Sequence, residues 1–234
     1  MEHKKTLVAT ILISILIIAL IVISYFYNDF NVKQMALLTE EANKILQADL
    51  DEYNIDFDIK TDKNYSKIEK AIKDYTSKLQ NIYLDMEELA SGINPNTIFA
   101  VQNIPNKKLD GIDTIIDEYK EKSQNLISEY EKLITDENIQ EYINNSDIST
   151  RQDYYKNLYN EIMLSDVMKK QYEDLDEKIK NEKARLYDKL NKIEKMKTYL
   201  EENEESWIIN EQQIQFTNLN RMIEYYSLFN QVID

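Results

Sequence analysis

Apolar residues follow two patterns along this chain: one unbroken block near the start, then a long series of three- and four-residue steps. The block, Leu7 to Tyr27, reads LVATILISILIIALIVISYFY and holds no charged residue. At about 1.5 Å of rise per residue, a helix over 7–27 matches the ~30 Å hydrocarbon layer of a bilayer and reads as a single transmembrane helix. The run outlasts the apolar core of a cleaved secretory signal. Its only candidate cleavage motif, Val22-Ile23-Ser24, leads straight into aromatic residues, so a retained signal anchor is expected. Tyr25, Phe26 and Tyr27 suit the aromatic belt at a membrane surface, and Lys4 and Lys5 precede the span with no basic excess after it. Residues 1–6 are therefore expected as a cytoplasmic stub, and 28–234 as an extracytoplasmic domain.

The stepped pattern predicts helices. From Asn28 to about Tyr53, the residues Met35, Leu38, Ala42 and Ile45 keep helical spacing with no breaker after the span, so a helix over 28–53 should continue out of the bilayer. A polar linker, Asp49 to Asp62, follows. Tyr65, Ile68, Ile72, Tyr75, Leu79, Ile82, Met86, Leu89 and Ile93 then alternate steps of three and four, the seam of a helix over 64–92 packed at coiled-coil spacing. Leu109, Ile112, Ile116, Tyr119, Ser123, Leu126, Tyr130 and Leu133 repeat the pattern over 109–143, with one polar interruption. These two helices are expected to lie antiparallel.

Asn144 to Asp147 reads as a turn before a helix over 149–203, whose phase slips around Ser165-Asp166, where an irregularity is expected. Ser66 with Glu69 and Ser149 with Gln152 have capping-box spacing. For 206–233 the expectation is helix. Trp207, Ile209, Ile214 and Phe216 also suit a small hairpin, but Glu211-Gln212 lacks the glycine or asparagine that a tight turn favours. Ile223, Tyr226 and Ile233 share one face and should close the bundle, and Trp207 should be a core anchor. The fold class is thus all-α: one membrane helix, then an elongated antiparallel bundle of coiled-coil character.

Glycine and proline sharpen the division, because Gly92, Pro95, Pro105 and Gly111 all fall in one connector, 92–111. Asn94-Pro95 has the form of a helix N-cap followed by a first-turn proline, predicting a short helix over 96–102. Ile93, Ile98, Phe99, Val101 and Ile104 make the connector too apolar for a solvated loop, so it should pack on the domain.

Charge and composition limit function. The chain carries 28 basic and 43 acidic residues, and removing Lys4, Lys5 and Glu2 leaves the exterior part near −16. That sign argues against nucleic acid or anionic lipid headgroups as partners. Cysteine is absent, and the single histidine, His3, falls on the other side of the expected span, which removes thiol chemistry and histidine triads from the exterior domain. Two glycines cannot build a phosphate loop. Asp56-Phe57-Asp58-Ile59-Lys60 resembles a calcium loop only superficially, since Lys60 occupies a ligand position and the required glycine is missing.

No catalytic, cofactor-binding or metal-ligating residue is therefore expected, and the chain reads as a non-enzyme. The 17 tyrosines suit bundle seams first (Tyr65, Tyr75, Tyr119, Tyr130, Tyr155, Tyr172), with Tyr154-Tyr155 and Tyr225-Tyr226 as candidate contact pairs. The expected function is a membrane-anchored protein-interaction or scaffold module at the bacterial cell envelope, contacting the bilayer through 7–27 and an unidentified protein partner, with homo-oligomerisation open. The alternative is a sensor-type bundle that binds a small molecule and signals through a partner membrane protein.

Overall fold

The computed structural model describes the backbone of residues 2–48, 55–211 and 213–233, and the side chains of the same segments from residue 24 onward. Among these residues the chain forms eight α-helices and one hairpin: α1 (Glu2–Gln47), α2 (Lys63–Ser91), α3 (Pro95–Ile98), α4 (Asp110–Leu133), α5 (Asp136–Asn144), α6 (Gln152–Met163), α7 (Asp166–Glu202), β1 (Trp207–Asn210), β2 (Gln213–Phe216) and α8 (Leu219–Ile233). The all-α expectation holds. No helix among the described residues is long and apolar enough to cross a membrane. Most of the run 7–27 lies outside the described side chains, so the anchor expectation rests on the sequence alone. The tail of the expected 28–53 helix, residues 49–53, also lies outside the described residues.

Helix directions follow from paired residues. Gln34 and Glu41 of α1 meet the chain at Asp62 and Lys73, so α1 and α2 run side by side in the same direction. The segment ahead of α2 makes this possible. An extended chain advances about 3.3 Å per residue against 1.5 Å in a helix, so the non-helical residues 55–62 alone can run back along more than two turns of α1 before α2 starts. Tyr75 and Tyr172 pack edge to face while Ala90 shares a core with Leu186 and Leu190, so α7 ascends with α2, and Gln171 donates to the Leu46 carbonyl at 2.6 Å. Between α2 and α7, α4 returns in the opposite sense, with Asp113 against Lys197 and Tyr130 against Tyr172. The expected antiparallel pairing is thus seen for α2 and α4, whereas α1, α2 and α7 are mutually parallel.

Two apolar cores stack along α2, α4 and α7. The first, joined by α1, α5 and α6, includes Leu38, Ile45, Ile72, Leu79, Tyr130, Ile139, Tyr159, Met163, Tyr172 and Ile179. The second gathers the connector, hairpin and α8 around Ile98, Ile104, Ile112, Leu190, Met196, Trp207 and Tyr225. Between them lies Ser123 of α4, fully buried, with its hydroxyl unpartnered. Burial pushes the hydroxyls of Tyr75, Tyr130, Tyr159, Tyr172 and Tyr225 up, so they stay protonated. Several reach out of the core to a carbonyl, Tyr159 to Ile139 at 2.8 Å and Tyr172 to Met163 at 3.1 Å.

The connector packs as expected. Asn94 accepts from the Asn96 amide at 2.9 Å and Pro95 opens α3, which ends at Ile98 instead of reaching 102, a separate 3-10 turn following at Val101–Asn103, while Ile93, Ile98, Phe99 and Ile104 are buried. Gly111 sits against the Asn103 carbonyl, where any Cβ would collide. The irregularity at Ser165 is a full break, with the Ser165 side chain accepting from Met168 N and starting α7.

Four expectations are corrected. Helix 109–143 is divided into α4 and α5, because Thr135 accepts from Asn138 N and Asp136 and Glu137 favour a helix start. Ser149 and Gln152 form no capping box. Arg151 occupies the cap position with a left-handed backbone, and the Gln152 amide donates to the Ile148 carbonyl. Ser66 and Glu69 form none either, since α2 has already begun at Lys63 and the Ser66 hydroxyl donates to the Lys63 carbonyl.

The fourth correction is the hairpin at 207–216. Trp207 pairs with Phe216 and Ile209 with Ile214, on the inward-facing side, while Ile208 and Gln215 face outward. Glu211 takes a positive φ of 48° to make the turn, a strain that burial of Trp207 at 1% exposure offsets. The indole N–H donates to the Leu200 carbonyl at 2.8 Å.

Two substitutions test this packing by thermal or denaturant unfolding. Trp207→Ala should cost about 3–5 kcal/mol, as for other buried large-to-small changes. Ser123→Ala removes an unpartnered buried hydroxyl and should leave stability unchanged or raise it by about 1 kcal/mol.

Candidate partner-binding surface

Chemistry-bearing side chains gather most densely where α1 meets α2. Lys73 is 2% exposed, and its ammonium donates to Glu41 Oε2 at 2.7 Å, Glu69 Oε1 at 2.7 Å and the Asp58 carbonyl at 2.6 Å. All three of its protons are used. Glu69 is equally committed, accepting from the Lys60 and Thr61 amides at 3.0 and 2.8 Å and from the Thr61 hydroxyl at 2.7 Å. Glu41 also receives Lys44 at 2.6 Å, and Lys44 in turn reaches Glu40 at 2.9 Å. One shell away, Gln34 Oε1 accepts from Asp62 N at 2.6 Å.

Burial by itself raises the Glu69 carboxyl, but the bonds from Lys73, Thr61 and Lys60 outweigh it and hold the group below the usual carboxylate range. Glu41 is lowered in the same way, burial being overcome by Lys44 and Lys73. A cluster with every donor and acceptor engaged has no open position for a substrate or a transferable proton. Its action is mechanical: it ties α1, the extended segment ahead of α2, and α2 into one unit. Among the described residues no group of acidic or histidine side chains could hold a metal ion.

Two clefts formed by the described residues open to solvent. One, about 930 Å³, lies where Tyr25, Tyr27 and Asn31 of α1 face Tyr65, Arg151 and Tyr154. A second, of about 430 Å³, lies at the far end of the bundle between the connector, β2 and Phe229 and Tyr226 of α8.

The main departure from expectation is α8. Of the face expected to close the bundle, Ile223 and Ile233 are exposed, Tyr226 is half-exposed beside the connector cleft with its ring against Phe229, and Tyr225 and Val232 pack inward instead. Leu219 is 66% exposed, Ile223 57%, Tyr226 47% and Ile233 56%. Inward contacts position the helix: Phe99 and Phe216 lie against the Tyr225 ring, and the one proton of the Tyr199 hydroxyl is shared between the Arg221 carbonyl at 2.9 Å and Glu224 Oε2 at 2.8 Å. What remains outside is a row of exposed apolar residues along α8, interrupted by Asn230. Single exposed apolar residues need no explanation, whereas an aligned row of them marks a contact surface.

No catalytic, cofactor or metal residue was expected, and the two notable sites were reached by sequence only in part. Glu69 and Lys73 are four apart within an apolar seam, which is the available signal for a buried pair. The partner Glu41, 32 positions from Lys73, has none. The candidate contact pairs are split, Tyr154 and Tyr226 being exposed and Tyr155 and Tyr225 buried.

Loss of the central cation gives a direct test. Lys73→Met leaves two buried carboxylates without their shared partner and should cost about 3–5 kcal/mol in denaturant unfolding. In the wild type, depressed Glu41 and Glu69 contribute stability that is complete above the unfolded carboxylate pKa of about 4.3 and is lost as pH falls below it. The unfolding midpoint should therefore drop on acidification through about pH 4, and the drop should be smaller in Lys73→Met. Comparisons with protein-family models, with curated proteins and with solved structures find no match for this chain.

Proposed function

We propose that the chain is a single-pass membrane protein whose helical bundle stands outside a bacterial cytoplasmic membrane and serves as a protein-interaction or scaffold module, without enzymatic activity. The observation that carries the reading is the outward apolar row of α8. A bundle with filled cores has no reason to align Leu219, Ile223, Tyr226 and Ile233 on its free side unless another surface covers them. Support for the anchor comes from the run 7–27, from helix α1, which continues past it to Gln47, and from Tyr25 and Phe26, both largely exposed beside it.

The direction of the helices adds to this. Measured along α1 to Leu46 and then along α7 from Gln171, the α8 row lies roughly 60–75 Å beyond Tyr27, a reach that suits contact with proteins away from the lipid. The acidic surface keeps the stalk clear of anionic headgroups. A second reading, a small-molecule sensor signalling through a partner membrane protein, is favoured by the cleft of about 930 Å³ beside α1, where a ligand would touch both α1 and the start of α6.

Topology is testable on the natural background, which has no cysteine. In intact cells or spheroplasts, an impermeant maleimide should label Glu205→Cys and should label Thr6→Cys only after lysis. Labelling of Thr6→Cys without lysis would overturn the orientation, and recovery of the chain in the soluble fraction would overturn the anchor.

A further inference from the structure

The α8 row has a spacing that its role as a contact surface alone does not require. Leu219, Ile223, Tyr226, Asn230 and Ile233 are separated by steps of four, three, four and three, the repeat by which two helices keep a common seam. In that frame Ile223 and Asn230 occupy the a positions, and Leu219, Tyr226 and Ile233 the d positions. All five are exposed, and the inward residues Tyr225 and Val232 lie on a different side of the helix. We propose that a second copy of this chain covers the row, the two α8 helices pairing in parallel with Asn230 against Asn230. This rests on the interaction reading above and names the partner.

Three observations favour a second copy over an unlike protein. First, Asn230 is the one polar residue in the seam. Against an apolar position of another helix its amide would be buried without a partner, whereas two asparagines facing each other satisfy both amides; a single buried asparagine at an a position is a known means of fixing register. Facing of a against a also requires parallel helices, and two copies held in one membrane share one orientation.

Second, charge is absent from the seam and from its flanks within α8, Asp234 after Ile233 being the first charge at a flanking position in the sequence. The flanking positions are Asn220, Met222, Ser227 and Phe229, while the charged residues of α8, Arg221 and Glu224, pair with each other at 2.9 Å beside Tyr199. Two copies that each carry −15 repel over most of their surfaces, and this neutral strip lets them meet without juxtaposing carboxylates.

Third, the size is that of a contact assisted by tethering. Five side chains per copy offer well under the roughly 1,200 Å² of a stable interface between free proteins. Confinement to a membrane raises the effective concentration enough for such a contact to form.

Single cysteines placed in the full-length chain, in native membranes, read the geometry directly. Under mild oxidation Ile223→Cys and Asn230→Cys should each form disulfide-linked dimers, roughly tenfold or more over Glu224→Cys and Gln231→Cys, which point away from the seam. Adding Asn230→Lys to Ile223→Cys should reduce its dimer by a similar factor while the unfolding midpoint, and so the fold, is unchanged. Equal linkage at all four positions, or none at 223 and 230, would overturn the proposal. Preferred linkage of Ile223→Cys to a co-expressed Ile233→Cys copy would overturn the parallel arrangement. Carbonate extraction of the same samples reads the anchor separately, so failure of pairing and failure of anchoring are told apart.

Discussion

A lysine buried between two glutamates decides how α1 relates to everything after it. Removing Lys73, Glu41 and Glu69 from water is costly, and the cost is met only because each group finds a full set of partners in one arrangement. That arrangement requires α1 and α2 to run in the same direction, with the extended segment at 58–62 between them. A sliding of α1 by one turn along α2 would leave Glu41 facing apolar seam and Lys73 short of an acceptor. Apolar contacts such as Leu38 and Ile45 tolerate such sliding far better, so the ionic cluster sets register while the core supplies most of the attraction.

From this fixed start the rest of the architecture is a consequence of length. The long helices α2, α4 and α7 carry two cores end to end, since a single core could not cover helices of this span. Tyrosine suits these seams because the ring fills the core while the hydroxyl reaches a backbone carbonyl, as Tyr159 and Tyr172 do. At the end remote from α1, the connector, Trp207 and the hairpin plug the second core, and α8 lies over them with one side bare.

Repeating apolar steps made most of the helices legible, and the break at Ser165 was legible as a phase slip. The connector was readable because Asn94-Pro95 has a specific conformational meaning. Other features were hidden for distinct physical reasons. Glu69 has the spacing of a capping residue, but the extended chain at Lys60 and Thr61, brought back by the linker, claims its oxygens. The hairpin turn uses Glu211 in a left-handed conformation that its side chain disfavours, so local preference pointed to helix and tertiary burial of Trp207 decided otherwise. For α8, periodicity announces a face that avoids water without saying whether this chain or another surface covers it.

If the Lys73 cluster does join α1 to the bundle as one body, the outer part of α1 and the first half of α2 open together. Hydrogen exchange of the full-length chain in lipid measures this. Amides of residues 34–47 should show protection within about tenfold of residues 68–86 and should lose it in the same cooperative step under denaturant. Protection of α2 with residues 34–47 exchanging at the rate of a frayed helix would contradict the account.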